Sequence, residues 1–216
     1  MDDAFASPNI QPIDLFRGLT EVEIQRIYSH LRSRYFEQGD LLLQEQDLGE
    51  VAYVIKEGYV RVETSLPDGS RTLLTILGRS ATVVAHESTT VLVFDRATFW
   101  DLLQTMPTMT YNLVGLLSRR LRIANCQIQA LAVLDVEARV ARQLQVLAAE
   151  YGEPDESGAI ELPFRLTQEE LADLVGASRV RVNQVLATFR RDDMVSTDTA
   201  QRITIHDPAG LETLWQ

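Results

Sequence analysis

Along residues 14 to 33, DLFRGLTEVEIQRIYSHLRS, the apolar positions Leu19, Val22, Ile24, Ile27 and Leu31 recur at helical spacing, so the chain opens on a short amphipathic helix. Thr20 stands as its N-cap, and Glu23 completes a capping box. The period then changes. From Tyr35 to Gly78 short β-rich runs are cut by Gly39-Asp40, Gly49, Gly58 and the hairpin signal Asp68-Gly69. In GYVRVET, Val60 and Val62 alternate with Arg61 and Glu63, as a half-buried antiparallel strand requires. SATVVA and TTVLVFD read as two more strands. The first hundred or so residues therefore predict an antiparallel barrel or roll.

Residues 98 to 106 read as a short helix ending at Pro107, after which TMTYNLVGLLSRRLRIANCQIQALAVLD runs with no Pro and one Gly. Val114, Leu117, Leu121, Ala124, Ile128 and Leu131 step alternately by three and four, the seam of a heptad repeat. With Arg119, Arg120 and Arg122 beside it, the seam predicts a parallel coiled-coil dimer interface; the alternative is a helix packed on its own barrel. Cys126 falls off the seam, on the outer face. Asp135 interrupts the pattern, and VEARVARQLQVLAAEY starts a fresh amphipathic helix before the loop GEPDESG. The organisation predicted is an antiparallel β-roll over 1–106, a dimerisation helix over 107–135 and a DNA-binding domain over 136–216.

The last of these rests on LTQEELADLVGASRVRVNQVLATFRR. Thr167 and Glu170 form a second capping box, Leu171, Leu174 and Val175 face inward, and Gly176 permits the positive φ of a tight turn. Ser178 caps the next helix at once, and small Ala172 lets the two helices cross closely. Val182, Val185 and Leu186 give the second helix one apolar stripe, leaving Arg179, Val180, Arg181, Asn183 and Gln184 to solvent. Such a unit is a helix-turn-helix. MVSTDTAQRITIHD then supplies two short strands around a polar turn, the wing of a winged helix.

A recognition helix enters the major groove with its N-terminal residues against base edges, which places Arg179 to donate to guanine O6 and N7. Val180 offers apolar contact to a thymine methyl, and Arg181 and Gln184 reach bases or phosphate. Thr167, Gln168 and the helix N-termini are expected to hold the phosphate backbone. In a two-fold dimer the site is an inverted repeat with half-sites about one helical turn apart.

Composition modifies this picture only in places. Net charge is −11, which argues against a nucleic-acid partner until its distribution is considered. Between Leu174 and Arg191 no acidic residue occurs, while Arg179, Arg181, Arg190 and Arg191 all fall there. One cysteine excludes an internal disulfide and a four-thiolate iron–sulfur cluster. His30, His86 and His206 are too scattered for a metal motif, and a lone His86 is read as an ordinary histidine before a haem ligand. No apolar run approaches the roughly 20 residues of a membrane span, and the acidic start lacks a secretory signal, so the expectation is a cytoplasmic protein with no membrane partner.

Roll, long helix and winged helix in this order resemble the Crp/Fnr superfamily of bacterial transcription regulators. The stretches that carry the resemblance are FEQGDLLLQEQ, YVIKEGYVRV, the RSA of Arg79 to Ala81, LAVLDVEARVARQL and LTQEELADLVGASRVRVNQVL. It implies an α+β chain with a jelly roll like a cyclic-nucleotide-binding domain, a homodimer on double-stranded DNA, and RNA polymerase as a possible partner. In cyclic-nucleotide-binding members, roughly a dozen or more residues built around Gly-Glu-Leu-Ala precede Arg-Ser-Ala, their backbone N–H groups cradling the phosphate. Here Gly78 joins Arg79 directly. The resemblance makes Arg79 the phosphate-pairing arginine and marks Arg79, Ser80, Ala124 and Asn125 as the effector pocket, with Ala124-Asn125 standing where the cyclic-AMP-binding relative has Thr-Ser. Both departures argue against a cyclic-AMP response. They leave open a natural deletion, a regulator without effector, a different small-molecule ligand, or a sequence from which a loop has dropped out. Val180 replaces the usual Glu after Ser-Arg, and Arg179-Val180 resembles the nitrogen-control regulators of cyanobacteria.

Two other classes compete. A small-molecule or haem-binding sensor with a vestigial DNA-binding domain is the alternative to a sequence-specific regulator. An enzyme on the barrel would need a His cluster or a convergent acid–base pair, and the strands supply neither.

Overall fold

The computed structural model describes residues 13–43, 51–65, 71–75 and 82–216. It divides into two compact units, residues 1–62 with 76–124 and residues 63–75 with 125–216. The junction of Gly78 with Arg79, the pair Asp68-Gly69, and Gly49 lie outside the described residues.

After a 3-10 turn at Asp14–Phe16, helix α1 spans Glu21–Ser29. Thr20 accepts from the Glu23 backbone N–H while the Glu23 carboxylate accepts from the Thr20 backbone, so the capping box forms. The helical spacing of the sequence runs on to Leu31, but the helix stops at Ser29, because Arg32–Phe36 pairs as strand β1. Val22 is exposed and only Ile27 of α1 is fully buried, which is the narrower stripe of a two-turn helix.

Further strands are β2 (Leu41–Leu43), β3 (Val51–Glu57), β4 (Val60–Ser65), β5 (Arg71–Thr75), β6 (Thr82–Ala85) and β7 (Thr89–Asp95). They make two sheets, ordered β1-β7-β3 and β2-β6-β4-β5. The ladders of β1 and β3 on β7, and of β2 on β6, are antiparallel, as a roll requires. Phe36, Leu42, Val60, Val62, Val83, Ala85 and Val91 share one core. Glu63, expected on the outer face with Arg61, is buried instead. Gly58 needs its freedom twice: its φ is +85°, and a β-carbon there would lie 2.5 Å from the Ser88 carbonyl oxygen.

Asp95 caps helix α2 (Arg96–Thr105), and Pro107 opens helix α3 (Pro107–Val133). Proline suits a first helical position, where its missing N–H has no partner to lose. Met106 and Met109 join Phe16, Ile27, Phe94 and Leu102 in a second core, with Leu113 and Leu116 packed against it. The Asn112 side chain donates to the carbonyls of Leu15 and Arg17, at 3.1 and 2.7 Å. One stripe of α3 thus packs on its own roll, while the heptad stripe stays exposed.

The second unit is built on helix α4 (Val136–Tyr151), capped by Asp135. Its Val140, Ala141, Leu144 and Leu147 are buried. Arg142 donates to the Cys126 carbonyl of α3, and Cys126 is half-buried rather than outward. Where the sequence predicts only a loop, β8 (Glu153–Pro154) and β9 (Ile160–Arg165) form a hairpin around the Asp155–Gly158 turn. The inward residues of β9, Leu162 and Phe164, are both buried.

Candidate nucleic-acid interface

Helices α5 (Gln168–Val175) and α6 (Arg179–Arg191) are joined by Gly176, Ala177 and Ser178 alone. Thr167 and Glu170 form the capping box reciprocally. Gly176 takes φ +60° and ψ +49°, the left-handed C-cap, and the Ala177 N–H closes the turn on the Ala172 carbonyl at 3.0 Å. The Ser178 side chain accepts from the Arg181 backbone N–H at 3.3 Å, starting α6 without a linker. Leu171, Ala172 and Val175 of α5 and Val182, Val185, Leu186 and Phe189 of α6 are buried, whereas Leu174, expected inward, is half-buried. Burial of each of these larger side chains stabilises the folded domain by about 1.5–3 kcal/mol.

Arg179, Val180, Arg181, Asn183 and Gln184 are all exposed, on the arc of α6 opposite its apolar stripe. Val180 is 70% exposed, a large apolar residue turned to solvent. Arg179 forms no ion pair among the described residues, so its guanidinium is available to a ligand. Arg181 donates to the Gln184 amide oxygen at 3.3 Å. Gln168, at the start of α5, donates its side-chain amide to Asn183 Oδ1 at 2.9 Å. At the other end of α6, Arg191 pairs with Asp192 at 3.0 Å, which holds its guanidinium more firmly protonated and offsets its charge.

Strands β10 (Val195–Thr197) and β11 (Arg202–Ile205) pair antiparallel, and β11 pairs with β9, giving the sheet β10-β11-β9-β8. The turn between them has Gln201 at φ +64°, tied by the Arg202 N–H to Asp198 Oδ1 at 2.8 Å. The Leu166 N–H donates to the Gln201 carbonyl at 2.9 Å, so the wing tip is fastened to the residue before the α5 cap. In the sequence the wing shows only as the polar run STDTAQ between two apolar stretches. Arg202 is engaged by Glu161 at 3.5 Å.

Of the expected effector pocket, Ala124 and Asn125 are exposed on α3, and Arg79 and Ser80 lie outside the described residues. Val114, Leu117, Leu121, Ala124, Ile128 and Leu131 are all exposed along α3. His86 is buried after β6, its backbone N–H on the Tyr59 carbonyl. Among the described residues no group of three or more His, Cys, Asp and Glu could hold a metal ion, and no helix is long and apolar enough to cross a membrane.

Residues 138–214 match the Crp-like helix-turn-helix domain and residues 33–106 the cyclic nucleotide-binding domain. The "CRP-like cAMP-activated global transcriptional regulator" of Mycobacterium tuberculosis is 32% identical over 204 residues, 88% of this chain and 88% of that protein. The chain belongs to the Crp family. Another relative, the "Cyclic AMP receptor protein" of Thermus thermophilus, is 30% identical over 196 residues, 84% of this chain and 87% of its own. In fold, this Crp-family chain is similar to a mutant of CooA from Carboxydothermus hydrogenoformans, with TM-score 0.73 and 23% identity over 87% of this chain and 89% of that one. It is a transcription regulator with a helix-turn-helix DNA-binding domain and a domain like those that bind cyclic nucleotides.

Proposed function

We propose that the chain acts as a cytoplasmic homodimer that reads an inverted repeat in double-stranded DNA, with RNA polymerase as a further partner and no enzymatic activity. The observation that carries this is the exposed arc of α6, where Arg179, Val180, Arg181 and Gln184 stand together immediately after the Ser178 cap. Arg179 donates to guanine O6 and N7, Val180 meets a thymine methyl, and Arg181 and Gln184 reach bases or phosphate. Thr167 and the first turns of α5 and α6 hold the phosphate backbone. The exposed apolar seam of α3 supports pairing of two chains along residues 107–135, with 1–106 as the sensor and 136–216 as the DNA-binding domain. Relatives are named for cyclic AMP. In this sequence Gly78 joins Arg79 directly and Ala124-Asn125 stands on α3, which supports DNA binding without a cyclic-AMP requirement.

Selection of binding sites from random duplexes by the full chain, with and without cyclic AMP, tests the reading. A palindromic site recovered in both conditions is expected. Recovery of no sequence in either condition overturns the reading.

A further inference from the structure

The Gln168–Asn183 bridge, at 2.9 Å, joins the half-buried first residue of α5 to a residue on the exposed arc of α6. Asn183 follows Arg179 by four residues, so it stands one helical turn along the same column and faces the next step of whatever Arg179 touches. Its carbonyl oxygen is occupied by the Gln168 amide, which turns its own amide nitrogen, with two donors, away from α5. An unbridged asparagine would present either end to a partner; the bridged one presents donors first.

We infer that Asn183 is a base-reading residue specific for a purine, donating through Nδ2 to the purine N7, and that Gln168 is its positioning residue. This rests on the reading of α6 as the helix that enters the DNA groove. Adenine fits best, because the second lone pair of Asn183 Oδ1 remains open to the adenine N6 amino group while Nδ2 meets N7. Gln168, which sequence alone assigns to the phosphate backbone, then acts on sequence discrimination. A residue that only touched phosphate would weaken every duplex alike.

The test replaces each purine of the selected half-site, one at a time, by its 7-deaza analogue and measures affinity by fluorescence anisotropy for the full chain and its variants. Wild type is expected to lose roughly fivefold to a hundredfold at one purine besides the guanine read by Arg179. Asn183→Ala should be indifferent to that position and no other. Gln168→Met, which removes the donor but keeps the length, should lose most of the discrimination there, while Gln168→Lys, which donates again to Asn183 Oδ1, should retain it. The combination of Asn183→Ala with Gln168→Met should discriminate no worse than Asn183→Ala alone. An unchanged deaza profile in Asn183→Ala, or equal losses on specific and random duplexes, overturns the inference while leaving the DNA-binding reading intact. Failure of wild type to bind any duplex overturns that reading, and this inference with it.

Discussion

A β-carbon placed on Gly176 would lie 3.0 Å from Leu131 Cδ2, so the turn of the helix-turn-helix rests directly on a residue of the exposed α3 seam. The turn therefore has two reasons to be glycine, its left-handed φ of +60° and the closeness of that methyl group.

Gly176→Ala is expected to lower stability by about 1–2 kcal/mol, from αL strain with a smaller part from displacement of Leu131. Gly176→Asn should cost less, because asparagine tolerates the left-handed region. Chemical denaturation of both variants separates the two contributions: equal losses would mean that crowding at Leu131, and not the backbone, dominates.

Leu117 and Leu121 are 56% and 63% exposed on the same face of α3. Leu121→Glu, or the pair with Leu117→Glu, should leave the fold unchanged and convert a dimer into a species of 24.3 kDa by sedimentation. Affinity for the full inverted repeat should fall to that for a single half-site. A dimer that survives both substitutions would place the interface elsewhere.

Arg179→Ala is expected to cost about 1–3 kcal/mol on the cognate duplex and to relax preference at one guanine. Arg179→Lys should restore attraction to DNA but not the preference, because an ammonium lacks the guanidinium fork. Anisotropy titrations against single-base variants read both effects.

Thr167→Ala removes one half of the α5 capping box and is expected to cost about 0.5–2 kcal/mol. Thr167→Ser should recover most of that loss. Thermal melts of the two variants decide whether the cap, rather than the methyl group of the half-buried threonine, is the stabilising part.

Acid sensitivity follows from the caps of the first unit. Backbone and side-chain hydrogen bonds from Thr20 hold the Glu23 carboxyl below its ordinary range, and those from Thr98 do the same for Asp95. A depressed carboxylate stabilises the fold above its unfolded pKa and loses that contribution as pH falls through the folded value, so melting temperature should drop below about pH 4. Asp95→Asn keeps a capping acceptor that does not titrate, and should flatten part of that slope. An unchanged slope would assign the acid transition to other groups.

What the sequence made legible is what local chemistry decides. Thr20, Thr167 and Ser178 are caps because each oxygen meets an N–H within its own first turn, and Gly176 ends α5 because glycine adopts its φ at the least cost of any residue type. The heptad seam of α3 was readable for the same reason: periodicity is a property of one helix. Strand β9 was not, because IELPFR takes its register from β11, some forty residues on, and carries a proline that argues against a strand. Nor was the half-burial of Cys126, which depends on Arg142 reaching across from α4. The Gln168–Asn183 bridge belongs to the same class, since two side-chain amides fifteen residues apart on different helices leave no periodic trace.

The fastening of Leu166 to Gln201 has a mechanical consequence. Strand β9 leads through Leu166 into α5, α5 into α6 through a turn of three residues, and α6 through Asp192 to Met194 back to the wing. The circuit is closed, so the distance between the wing tip and the reading face is set like the jaws of a caliper with its screw tightened. On the proposed reading of α6 as the helix that enters the groove, a duplex whose grooves do not match that gap bends or narrows to fit, and the sequences that yield most easily are favoured even at base pairs no side chain touches.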